Sequence, residues 1–165
     1  MSYHIYTTKG IVLAENPIRE ADRVYRIMTR DLGLIHATAL GVRKEASKLR
    51  GNIEPFSLSF VSLVRGKDRW RVTSAEFIRK ISHAPVIARP FSLLEKLIQG
   101  ESPHQELFDS VEDLALSPVY DDEMFEVHLV SNILFHLGYL KETDMIASKD
   151  VLIKAINEGI QASHL

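Results

Sequence analysis

The sequence predicts an α+β chain, all-β in its amino-terminal part and all-α in its carboxyl-terminal part: a five-stranded barrel followed by a small helical domain. Three observations carry this. Residues 5–80 hold five short β-branched and aromatic runs separated by turn residues, with no room for crossover helices, so the strands should pair antiparallel. From Pro85 onward apolar residues recur at helical spacing instead. The charge changes sign at the same place. Residues 1–80 carry 15 Lys+Arg against 8 Asp+Glu and residues 81–165 carry 5 against 14. The balances are +7 and −9, which the net charge of −2 conceals. The chain therefore reads as two domains, 1–80 and 81–165.

The first strand is expected over Ile5 to Ala14, with Ile5, Ile11 and Leu13 on one face and Asn16-Pro17 as its break. Arg23 to Thr29 forms the second, although Val24, Ile27 and Met28 also suit a helix. Asp31-Leu32-Gly33 turns the chain into a third strand, Leu34 to Val42. Phe56, Leu58, Phe60 and Val64 are expected to line one face of the fourth, with Ser57 and Ser59 pointing away. Arg65-Gly66-Lys67-Asp68 makes a hairpin turn, and Trp70 to Ile78 is the fifth strand. Periodicity alone fits more than one kind of small barrel.

In the second half, Phe91, Leu94, Leu97 and Ile98 mark a helix that ends by Gly100. Ser102 is placed as the N-cap of the next, with Pro103 at its first position and Gln105 completing a capping box. Leu107, Phe108, Val111, Leu114 and Ala115 form its apolar stripe. Asp121, Asp122 and Glu123 suit the positive end of a third helix. Its body, Met124 to Leu137, is apolar over so wide an arc that it should be the buried centre of the bundle, with Gly138 ending it. A last helix, Asp150 to Ala162, carries Val151, Leu152, Ala155 and Ile156.

Composition excludes several function classes. Hydrophobic content of 45% and charged content of 25% are ordinary for a soluble globular chain. No apolar run approaches the length of a transmembrane helix, and Met-Ser-Tyr-His-Ile lacks the pattern of a signal peptide. The absence of Cys excludes disulfides and thiolate metal sites, and fits a cytosolic chain. There is no P-loop: the only Gly-Lys pair is Gly66-Lys67, and Val61 stands where the first glycine would be. Neither a Gly-x-Ser-x-Gly elbow nor His-Glu-x-x-His is present. His128 and His136 are too far apart on one helix to share a metal, and the acidic run at 121–123 is explained by helix-start electrostatics. No metal, no cofactor and no enzymatic activity are expected.

What remains is binding chemistry. Residues 39–56 pass from a strand end through Arg43, Lys44, Lys48 and Arg50 before Gly51-Asn52 turns the chain. Such a loop can present cations to a phosphate backbone. A second cluster is Arg65, Lys67, Arg69 and Arg71, and Arg23, Arg26 and Arg30 are expected to add a row along the second strand. Tyr3, Tyr6, Tyr25 and Trp70 are candidates for stacking on bases, whereas Phe56, Phe60 and Phe77 are expected in the core. Gly41-Val42-Arg43-Lys44, Ser47-Lys48-Leu49-Arg50-Gly51 and Glu54-Pro55-Phe56 follow one another in register with four other pieces. These are Gly10-Ile11-Val12-Leu13, Glu20-Ala21-Asp22-Arg23, the Gly33 turn and Thr73-Ser74-Ala75-Glu76. In that order and spacing the sequence resembles the amino-terminal domain of the RecO family of bacterial recombination mediators, well over residues 5–80 and more weakly to Tyr139.

The resemblance selects an OB-type barrel, partly open. It implies a DNA repair mediator that binds single- and double-stranded DNA, anneals strands and assists recombinase loading at the bacterial nucleoid. Its partners would be RecR and single-strand-binding protein. Many relatives carry a four-cysteine zinc site that this chain lacks. The alternative, from another class, is an interaction module whose barrel binds a protein or RNA without recombination activity. No small-molecule substrate and no membrane are expected.

Overall fold

The structure is a computed structural model that describes residues 3–81, 84–117 and 121–165. Met1 and Ser2, part of the start read above for a leader, lie outside them. The chain divides into two compact units: Met1–Ile81 with Gly100–His104, and Ser82–Gln99 with Gln105–Leu165.

In the first unit, β1 (Ile5–Pro17), β2 (Arg23–Thr29), β3 (Gly33–Ala39), β4 (Ser57–Arg65) and β5 (Trp70–Lys80) close a barrel in the order β1-β2-β3-β5-β4. The barrel is closed rather than partly open, and it is not wholly antiparallel. β3 and β5 run parallel, joined by only two rungs, Ala37↔Trp70 and Thr38↔Arg71. The reason is parity: five strands cannot close a ring with every neighbouring pair antiparallel, so one pair must run parallel.

The inner faces alternate as strand geometry requires. Val12, Tyr25, Ile27, Ile35, Ala37, Val61, Leu63, Trp70 and Val72 make the core. Each large side chain among them contributes about 1.5–3 kcal/mol by leaving water. Gly10 admits a close approach inside: a Cβ there would lie 2.6 Å from Cγ2 of Ile27. Ile5, Ile11 and Leu13 do not act as one face: the barrel interior takes Val12, the register slips between Val12 and Ala14, and Ile5 is exposed while Ile11 and Leu13 are buried.

β1 continues through Asn16-Pro17 instead of breaking there, with Pro17 opposite Arg23 as the last rung. A strand end tolerates proline because no further ladder bond needs its missing N–H. β3 stops at Ala39, short of Val42, because Gly41 turns the chain at φ +63°.

The largest correction concerns β4, where the face of Ser57 and Ser59 enters the barrel and Phe60 does not reach the core. Ser57, Ser59, Val61 and Leu63 are all fully buried, and Leu58 and Val64 are buried as well, whereas Phe60 is 41% exposed. The two serines fit because segment 40–56 fills that end of the barrel. Their hydroxyls donate to the carbonyls of Glu54 (2.6 Å) and Asn52 (2.9 Å). β5 runs two residues beyond its expected end and slips register against β4 twice, between Leu58/Ser59 and between Ser62/Leu63.

The second unit contains α1 (Ala84–Leu97), α2 (Gln105–Ala115), α3 (Asp122–His136), α4 (Glu142–Met145) and α5 (Lys149–Ala162). α3 is its centre and packs on α1, α2, α4 and α5. Phe125, Leu129, Ile133 and Leu134 are fully buried on it. Asp121 caps it, its carboxylate accepting from the Met124 N–H at 2.8 Å, with Asp122 and Glu123 in the first turn. Gly138 follows its end at φ +85°.

Ser102 does not cap α2. That helix begins at Gln105, and Ser102 lies in the segment grouped with the barrel, its backbone against Gly33. A Cβ at Gly33 would come within 2.4 Å of the Ser102 carbonyl oxygen. α4 was not foreseen, and Val151 on α5 is exposed while Leu152 and Ile156 are buried.

Candidate nucleic-acid interface

Residues 40–56 are a chain of tight turns rather than a loose loop. The N–H groups of Lys44, Ser47, Arg50 and Asn52 donate to the carbonyls of Gly41, Lys44, Ser47 and Leu49. Val42, Leu49 and Ile53 point inward and join the barrel core. Between these apolar feet, Arg43, Lys44, Lys48 and Arg50 are exposed. Two further bonds tie the segment to the turn between β1 and β2. The buried Asp22 carboxylate accepts from the Gly41 N–H at 2.6 Å, and the Ala21 carbonyl accepts from the Arg43 N–H at 3.2 Å. The Asn52 side-chain oxygen accepts from the Phe77 N–H at 3.3 Å, fixing the far end to β5. The cations thus stand on a platform held by core packing and hydrogen bonds, so a charged ligand has little backbone left to order.

Three of the expected residues come together on one cavity of about 720 Å³: Arg23, Arg43 and Arg50 line it with Lys80. Glu15 and Glu54 also line it, leaving two positive charges in excess. Tyr25 contributes to its wall, directly opposite Glu15 in the β1–β2 ladder. Burial pushes the Tyr25 hydroxyl well above the usual phenol range, reinforced by the charge of Glu15 and a hydrogen bond to it. The phenol therefore remains a neutral donor to that carboxylate. Arg23 is partly committed already, its Nη1 donating to the carbonyls of Asp22 (2.9 Å) and Arg19 (3.3 Å).

Arg43 and Lys44 border a second hollow with Glu20 and Ala21. Lys44 also borders a third with Arg19, Asp22 and Leu40. Lys48 is exposed and lines none of these three.

The row along β2 does not form. Arg23 and Arg26 are three residues apart and so lie on opposite faces. Arg23 shares the inner face of Tyr25 and Ile27 at the barrel mouth, whereas Arg26 sits opposite His36 on the outer face. Arg30 belongs to the turn after β2, its N–H donating to the Lys9 carbonyl.

The second cluster is differently placed. Lys67 and Arg69 are exposed in the hairpin between β4 and β5. Arg65 pairs with Glu101 and lies over the Trp70 ring, 4.9 Å from its centroid. Arg71 stands on the seam opposite Thr38.

The aromatic assignments also change. Tyr25 and Trp70 are core residues at 2% and 5% exposure, while Phe60 and Phe77 are exposed. Tyr6 keeps an exposed edge, its ring in edge contact with Trp70 at 5.2 Å. Lys80 and Asp22 were not singled out from the sequence. Asp22 stood within the Glu20-Ala21-Asp22-Arg23 piece, but only the fold shows it bonding a residue 19 positions away.

Among the described residues no group of three or more His, Cys, Asp or Glu is placed to hold a metal, and no helix is long and apolar enough to cross a membrane.

A five-stranded barrel closed in this order is an OB fold, a class that includes oligonucleotide-binding modules. The family profile described as "Recombination protein O N terminal" matches residues 1–81. Among curated relatives named "DNA repair protein RecO", one from Synechococcus sp. is 31% identical over 160 residues, covering 97% of this chain and 53% of the relative. One from Dehalococcoides mccartyi is 33% identical over 141 residues, covering 77% and 55%. One from Gloeobacter violaceus is 29% identical over 173 residues, covering 96% and 65%. This chain belongs to the RecO family, and it spans between about half and two thirds of the length of these relatives.

Proposed function

We propose that the chain is a DNA repair mediator whose barrel binds single- and double-stranded DNA, promotes annealing of complementary strands and assists recombinase loading. The observation that supports this best is the convergence of Arg23, Arg43, Arg50 and Lys80 at one mouth of an OB barrel, on a segment anchored by its own apolar residues. Annealing needs no catalytic group. Cations that neutralise two phosphate backbones lower the repulsion between strands, and base pairing supplies the rest.

Residues 1–80 act as the nucleic-acid-binding domain in this reading and residues 81–165 as the helical domain. Arg26, Lys44, Lys48, Lys67, Arg69 and Arg71 extend the contact with phosphates beyond the mouth, and Arg65 joins them when it leaves Glu101. RecR and single-strand-binding protein are the partners proposed. An acidic segment of a partner protein would meet a half with a charge balance of −9, so DNA is the stronger of these contacts. The proposed setting is the bacterial cytoplasm, at the nucleoid.

Titrating the intact chain with single-stranded DNA, duplex DNA and RNA at two salt concentrations tests the reading. Both DNA forms should bind, and more weakly at higher salt, with a log–log slope near −0.7 per phosphate contacted on single strands. Binding of RNA alone, or no salt dependence, would instead favour an interaction module.

A further inference from the structure

We infer that the cavity at the barrel mouth is a socket for a strand end, seating the terminal phosphomonoester of a DNA strand. The inference deepens the DNA-binding reading and rests on it.

Shape is the first argument. The site is a hollow of about 720 Å³, open to solvent, with a volume in the range of small-ligand sites. Core residues Val42, Ile53 and Tyr25 form part of its lining.

Charge is the second. Arg23, Arg43, Arg50 and Lys80 exceed Glu15 and Glu54 by two positive charges. An internal phosphodiester brings a single negative charge, but a phosphomonoester carries about −1.5 to −2 at neutral pH and neutralises the site. The carboxylates also select against a passing chain. They repel phosphates spread along a backbone, yet one terminal nucleotide can set its phosphate on the cations and offer hydroxyl and amino groups to Glu15 and Glu54.

The third argument is backbone strain. Phe56, which lines the cavity, is held at φ +59°, a region that side chains other than Gly, Asn and Asp seldom enter. Its N–H donates to the Val12 carbonyl at 2.8 Å, and its own carbonyl accepts from the Ile81 N–H at 2.9 Å. Strain retained by bonds on both sides is common where a wall must keep one shape for a ligand.

The test uses the intact chain and one oligonucleotide sequence made with a 5′-phosphate, a 3′-phosphate or hydroxyls at both ends. Adenosine 5′-monophosphate serves as a competitor. At fixed salt one phosphorylated end should bind about tenfold tighter than the hydroxyl form, the worth of one added charge-assisted hydrogen bond. The difference should vanish in Arg50→Ala and Lys80→Ala, both exposed positions, and persist in Lys48→Ala, which lines no part of the cavity. Circular dichroism checks that each variant is folded. Equal affinity for all three ends, with DNA still bound, overturns the socket and leaves the DNA-binding reading standing. Binding of the monophosphate while no oligonucleotide binds would make the cavity a free-nucleotide site and overturn both. Failure of every ligand to bind overturns both as well.

Discussion

Two stretches of this barrel carry the same charge and differ in how they are held. Residues 40–56 bring four cations on a frame with three side chains in the core and bonds to Asp22, Ala21, Ser57 and Ser59. Residues 65–71 also bring four, but Lys67 and Arg69 lie exposed in a hairpin and Arg65 is occupied by Glu101 and Trp70. In the sequence they are nearly equivalent clusters. In the fold only the first converges with distant residues, Arg23 and Lys80, on one cavity. The difference teaches that anchoring, more than the number of cations, turns a basic stretch into a site.

The sharpest way to break this comparison is to remove an anchor. Ile53→Ala empties a fully enclosed position in the barrel core and should cost about 2–5 kcal/mol, read from urea unfolding. If the segment were a loose loop, the cost would fall below about 1 kcal/mol.

Asp22→Ala should follow, at about 1–3 kcal/mol, because it leaves the Gly41 N–H without its acceptor. Hydrogen exchange at Gly41 should speed up while protection in β4 is retained. Unchanged exchange there would show that Asp22 does not hold the platform.

The smallest effect on stability, and the sharpest contrast in binding, should come from the cations themselves. Arg43, Lys44, Lys48 and Arg50 changed together to Ala should leave the melting temperature nearly unchanged, since exposed substitutions usually matter by less than about 0.5 kcal/mol each. The variant should bind DNA more weakly for all sequences alike. Its salt slope should flatten by roughly 0.7 for each phosphate that is no longer neutralised on single strands. Lys67, Arg69 and Arg71 changed together should flatten it less. An equal effect from both sets would erase the distinction between the two stretches.

The five strands, the helical second half and the basic segment were legible in the sequence because each has a strong local pattern. What stayed hidden depends on residues far apart. The facing of β4 was read from its large apolar side chains, and nothing local reveals that segment 40–56 fills the barrel end and leaves room only for Ser57 and Ser59. The same filling puts Phe60 outside. Tyr25 and Trp70 looked able to stack on bases, since a strand pattern does not say which face a barrel closes around. The cavity itself joins residues from positions 15 to 80, and Lys80 was invisible as a member until β5 was seen to extend that far.

The seam between β3 and β5 gives the molecule its own optical gauge. Trp70, the sole tryptophan, sits on one of its two rungs, with the Tyr6 ring beside it and the Arg65 guanidinium above. An indole so enclosed emits in the blue and shifts to the red as water reaches it. Because two rungs hold less firmly than the seven of the β2–β3 pairing, the seam is where the closed cylinder should first part. Intrinsic emission would then report that parting before the circular dichroism of the helices changes. The protein thus needs no attached dye to show when its barrel breathes.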